Sequence, residues 1–120
     1  MKFMLIVHRN EEAFNKIEKE KRHQMLAESI ELTHQLHAAV QYLSASPLHP
    51  SGTAVIVRMR DGKSIVTDGP FIETREQIAG YFLVNAWNLN EAISIATRVP
   101  GARIGTVEVR PLIEITGLPE

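Results

Sequence analysis

The chain has 120 residues, 44% hydrophobic and 22% charged, which suits one globular domain over residues 1–120 and excludes a disordered chain. Its 13 basic and 14 acidic side chains leave a net charge of −1, so it carries no electrostatic footprint for direct nucleic-acid binding or for an anionic membrane. It has no cysteine, which removes disulfides, thiolate nucleophiles and cysteine-based zinc sites.

Phe3 to His8 reads as an opening strand, too short an apolar run for a leader and interrupted at once by Arg9, Glu11 and Glu12. No stretch approaches the roughly 18 apolar residues of a membrane span, and a cytoplasmic protein is expected. Asn10 is a helix N-cap, with Glu11 and Glu12 in the first turn where the helix dipole favours negative charge. From there to about Ala39 no Pro or Gly intervenes. Met25, Ser29, Leu32 and Leu36, with Leu26, Ile30 and Thr33, keep the helical period, whereas Phe14 and Ile17 are less regular and read as a separate turn. Lys16, Lys19, Lys21 and Arg22 alternate with Glu18 and Glu20, the pattern of a solvated helix face.

Val40 to Leu43 reads as a short strand and Ser44 to Gly52 as a loop. Thr53 to Met59 and Ser64 to Thr67 are strands joined by Asp61-Gly62, a hairpin signal because both positions accept positive φ. Gly80 to Ala86 is a further strand. Asn90 opens a helix over Glu91 to Arg98, ended by Pro100-Gly101, and Ile104 to Arg110 is the last strand. The fold class is α+β, a ferredoxin-like βαββ(β)αβ arrangement. Two helices cover one face of such a sheet, yet Phe3, Leu5 and Val7 alternate with the equally apolar Met4 and Ile6, and Phe82 and Val84 with Leu83. The uncovered face calls for a homodimer with sheets face to face.

Asp68 sits between an apolar strand and a Gly-Pro turn. Two readings fit it: a general acid/base or anchoring carboxylate, or a turn former whose side chain accepts backbone N–H bonds. His49, between Leu48 and Pro50, is either a proton carrier or an exposed loop residue, and becomes one half of a dyad if it meets Asp68. Arg58 and Arg60 share a strand face, as do Glu108 and Arg110, and either pair suits an anion site or a salt-bridged rim. Tyr81, Phe71 and Trp87 suit a pocket wall, with core or interface packing the simpler role. His34 and His37, spaced i, i+3, lack a third ligand, and His8 reads as an edge residue, so no metal and no cofactor is expected.

Thr67-Asp68-Gly69-Pro70-Phe71-Ile72-Glu73-Thr74-Arg75-Glu76 followed by Gly80-Tyr81 resembles the signature of the DGPF branch of the YCII-related proteins. Met1 to Ile6, Leu48-His49-Pro50-Ser51, Arg58 to Lys63, Asn90-Glu91-Ala92, Pro100-Gly101 and Val107 to Pro111 extend the likeness over nearly the whole chain. The resemblance implies a dimeric α+β barrel of ferredoxin-like halves. For the wider group it implies an enzyme, because a His and an Asp face a pocket. For the branch it implies a link to transcription initiation through fusion with sigma-factor domains.

By motif, Asp68 carries over as the acidic residue. The wider group's helix histidine falls here at Ser29, and His49 of the Leu-His-Pro loop takes its place. Two glycines usual around the second strand are Val40 and Ala45 in this chain. The expected function is a cofactor-independent enzyme or binder for a small polar or anionic metabolite, working by proton transfer, isomerisation or elimination. Asp68 and His49 would be catalytic, with Arg58, Phe71, Tyr81 and Arg110 contacting substrate. The alternative is a non-catalytic module that contacts a sigma factor.

Overall fold

The computed structural model describes residues 1–119. Its strands are β1 (Lys2–Arg9), β2 (Tyr42–Pro47), β3 (Val55–Arg60), β4 (Lys63–Asp68), β5 (Gln77–Asn85) and β6 (Thr106–Pro111), and its helices are α1 (Glu11–Asn15), α2 (Lys19–Ala38) and α3 (Leu89–Ala96). Four strands form an antiparallel sheet in the order β2-β5-β1-β6. With β3 and β4 set aside, this is the split βαβ order of a ferredoxin-like α+β fold.

Alternation along β1 sends Phe3, Leu5 and Val7 to the helix side, beside Phe82 and Val84 of β5. Leu32 and Leu36 of α2, and Ala92, Ile95 and Ala96 of α3, close over them into one buried cluster. On the opposite face, Met4, Ile6 and His8 lie beside Tyr81 and Leu83 of β5 and Thr106, Glu108 and Arg110 of β6. No helix covers that face, and Met4, Ile6, Tyr81 and Leu83 remain half-buried.

Local chemistry explains the boundaries. Asn10 accepts from the Ala13 N–H at 2.8 Å and starts α1, which ends where the Lys16 and Ile17 N–H groups turn back to Ala13 and Phe14. At the end of α2, the Val40 N–H donates to His37 O and the Gln41 N–H to Leu36 O, the two bonds of a Schellman motif. Val40 occupies the left-handed position of that motif with φ 60°, where glycine is usual. The expected strand at Val40 therefore starts two residues later, at Tyr42, and runs on to Pro47 through what was read as loop.

Three further boundaries shift. The cap of α3 is Asn88 rather than Asn90, its side chain accepting from the Glu91 N–H at 2.9 Å. Thr53 belongs to a short 3-10 turn, its N–H donating to Pro50 O. Ile104 follows the 3-10 turn Pro100–Arg103, so β6 opens at Thr106.

The hairpin β3–β4 is where the layout departs most from expectation. Asp61 (φ 52°) and Gly62 (φ 74°) form the anticipated tight turn. The two strands add nothing to the main sheet, however, and form a separate two-stranded arm. All its residues are exposed except the half-buried Ile56. The radius of gyration, 16.3 Å, exceeds the roughly 14 Å of a compact chain of this length, in keeping with a projecting arm.

Candidate functional site

A cavity of about 470 Å³ lies between α2 and the sheet. Its origin is legible in side-chain size. The C-terminal half of α2 is held down by buried Leu32 and Leu36, whereas Leu26 and Ile30 further back are about half exposed. Beneath the N-terminal half the sheet presents Ala45, Ala79 and Gly80 in place of large residues. Gly80 is required there by a close approach, since a Cβ would come within 2.7 Å of Ser46 O on β2. Val7 and Phe82 form part of the apolar floor, and Met25, Ser29, Ile30 and Thr33 the roof.

One end of this cavity is cationic. Arg9, Phe14, Arg22 and His23 all line it. The β1 alternation that buries Val7 brings Arg9 to the same side, where its Cζ lies 3.5 Å from the Phe14 ring centroid. Arg22 Cζ lies 5.9 Å from the same centroid, and its Nε donates to Ile17 O at 3.1 Å. Neither guanidinium forms an ion pair among the described residues. Burial lowers the Arg9 pKa from its usual value, opposed in part by the charge of Glu11. Glu11 itself is engaged elsewhere, its two oxygens accepting from the Ser51 N–H at 2.7 Å and the Ser51 hydroxyl at 2.9 Å.

Of the residues singled out from the sequence, Tyr81 lines this cavity and the others lie elsewhere. Asp68 ends β4, opposite Val55, and is exposed. Its carboxylate accepts no hydrogen bond among the described residues, so the Asp68-Gly69-Pro70-Phe71 turn is not built by its side chain. Gly69 shapes it instead, with φ +95° and an N–H donated to Ala54 O at 2.8 Å. Arg58 reaches toward the turn, its Cζ 5.3 Å from the Phe71 centroid.

His49 is exposed in a loop pinned on both sides, by Leu48 N–H to Ala79 O and by Ser51 to Glu11. No hydrogen bond joins it to Asp68 within one chain. Tyr81 shares a 2.9 Å hydrogen bond with Ser44. Arg110 approaches Glu108 at 3.7 Å on the open face, where Glu108 also meets His8 Nε2 at 3.0 Å. Phe71 and Trp87, 71% and 85% exposed, are not core residues of this chain.

Of the named residues Tyr81 lines the cavity, while the others separate into the arm and its turn, the open face and the pinned loop. The charge pattern groups Arg22 with a solvated lysine face, but it is half-buried, its Cζ 5.9 Å from the Phe14 ring centroid. The available signal was Phe14 itself, the one aromatic in a polar segment between Arg9 and Arg22. Among the described residues no cluster of three or more His, Asp or Glu is placed to hold a metal ion, and no helix is long and apolar enough to cross a membrane.

The family model described as the YCII-related domain matches residues 1–116. An uncharacterised protein of Rhizobium meliloti (strain 1021) is 42% identical over 67 residues, covering 54% of this chain and 54% of that protein. The match thus takes in about half the length of that relative. The chain belongs to the YCII-related family.

Proposed function

We propose that this YCII-related protein is a cofactor-independent enzyme or binding protein for a small organic metabolite, and that the metabolite occupies the cavity between α2 and the sheet. The observation that carries this reading is the cavity itself: about 470 Å³, apolar along its walls and polar at one end, the usual form of a small-molecule site. Ser29, where the wider group resembled by this sequence carries its helix histidine, lines it. Asp68 belongs to the proposal as acid/base or anchor, with His49 as its proton partner and Arg58 and Phe71 beside it. Its support is an exposed carboxylate that its own turn does not engage. Tyr81 also lines the cavity, whereas Arg110 lies beside Glu108 on the opposite, open sheet face and is not a contact of a molecule held under α2.

A homodimer is part of the same proposal. The arm exposes Val57 and Val66 at 63% each, and the open face carries half-buried Met4, Ile6 and Leu83. A second copy would cover both apolar surfaces and bring Asp68 of one chain against the body of the other.

The test is a thermal-shift screen of small metabolites on wild type, Asp68→Asn and the cavity-filling Ser29→Phe. Compounds that raise the wild-type Tm should lose their effect in Ser29→Phe, and Asp68→Asn should alter turnover or affinity for the same compounds. If no compound shifts wild type, or if Ser29→Phe responds as wild type does, the reading fails.

A further inference from the structure

Resting on that reading of the cavity, we infer its ligand class: an amphipathic organic anion, a carboxylate on an apolar body, whose head is gripped by Arg9 and Arg22 and whose body lies under α2. The first argument is the pair of cations without anions. A guanidinium removed from water and left without a carboxylate is a net cost to folding. Arg9 is in that position, half-buried, without an ion pair and with a lowered pKa. Glu11 acts on it only through space, its carboxylate oxygens being turned to Ser51. A site that keeps such a group at the mouth of a cavity is organised for an anion that comes from outside.

The second argument is preorganisation. Arg9 lies flat enough on Phe14 for its Cζ to sit 3.5 Å from the ring centre. Arg22 is fixed at Nε by Ile17 O, which leaves its terminal nitrogens to a ligand. Planar guanidinium forks held in this way match the geometry of a carboxylate and forfeit little side-chain entropy when they bind it.

The third argument sets the body of the ligand. Ser29 Oγ donates to Met25 O, Thr33 Oγ1 to Ile30 O and Ser46 Oγ to Pro47 O, so these hydroxyls along the cavity have given their protons to the main chain. The Tyr81 hydroxyl is shared with Ser44. Tyr42 is the one lining hydroxyl without a hydrogen bond to the protein among the described residues. With those donors spent and much of the wall formed by Val7, Leu26, Ile30 and Phe82, a sugar or polyol would find few donors for its own oxygens here. A molecule with one charged head, an apolar body and at most one further polar atom needs no more.

Calorimetric titration with naphthoate and decanoate, against naphthamide and decanamide, tests the assignment on wild type, Arg9→Met, Arg22→Met, Arg9→Lys and Ser29→Phe. The acids should bind wild type, and the amides about ten-fold more weakly or less. Arg9→Met and Arg22→Met should each lose about ten-fold in affinity for the acids, without a lower ligand-free Tm, and Arg9→Lys should fall between. Amides that bind as well as acids, or acids that bind Arg9→Met and Arg22→Met as tightly as wild type, overturn the anion assignment alone. Ser29→Phe that binds all four compounds like wild type, or wild type that binds none, overturns the cavity reading with it. Ser29→Leu serves as the plug if the Phe variant does not fold.

Discussion

The body and the arm are built from similar residues and end in opposite environments. Val84 and Val7 of the main sheet are 0% and 7% exposed, whereas Val55 and Val57 of the arm are 55% and 63% exposed. Each stretch has the β-branched alternation of a strand, and each forms one. The difference is what lies across from it. β1 and β5 have neighbours on both edges and helices on one face, while β3 and β4 have only each other. A lone two-stranded hairpin is marginal in water. On the proposed homodimer, the arm's order would rest on the surface of a second copy, and the body's on its own core.

That contrast can be broken by matched truncations. Leu36→Ala, on the buried face of α2 at 0% exposure, should cost about 3–4 kcal/mol in denaturant unfolding, because it removes buried contacts and leaves a void. Val57→Ala should cost less than about 0.5 kcal/mol in dilute protein, where the arm has no cover. A loss of comparable size for Val57→Ala at low concentration would mean that the arm is packed within its own chain.

The next prediction concerns assembly. If the proposed homodimer forms through the arm, wild type should sediment as a dimer, and Val57→Lys with Val66→Lys, a directly paired couple on the arm, should sediment as a monomer. The far-UV spectrum should stay that of the folded body. A dimer that survives the double change would place the interface elsewhere.

A smaller effect sharpens the same comparison at a joint of the body. Val40, 84% exposed, has a β-branched side chain in the left-handed region, which costs about 1–2 kcal/mol. Glycine relieves this but loses about 0.5–1 kcal/mol through its more flexible unfolded state. Val40→Gly should therefore stabilise by about 0.5–1 kcal/mol, read as a higher midpoint at unchanged slope. Unchanged or lower stability would contradict the assignment of strain there.

What the sequence disclosed follows the range of the interaction. Asn10, Asp61-Gly62 and the period of Met25, Leu32 and Leu36 act over a few residues, and each is seen where the sequence places it. At Val40 the β-branched identity argues for a strand, while the helix end requires a left-handed residue there, and the helix end prevails. The alternation of Val55, Val57 and Met59 says that a pleated surface forms but not which sheet it joins.

The candidate site was the least legible. Arg9 at the end of β1 and Arg22 near the start of α2 meet Phe14 across the intervening α1, and the cavity exists only because small residues of β2 and β5 pass under one half of a helix. The Asp68 turn, by contrast, is conspicuous in sequence and lies on the arm. Its carboxylate would reach a cavity only through the proposed second copy.

The central claim is that the cavity of the body, rather than the arm or the open face, receives the small molecule. Amide chemical-shift mapping with naphthoate tests it most directly. The predicted result is saturable shifts at Arg9, Phe14, Met25 to Thr33 and Gly80, with the Asp61-Gly62 tip of the arm unmoved. Shifts confined to the arm and to the open face around His8 and Glu108, with Arg9, Ser29 and Gly80 unchanged, would contradict it.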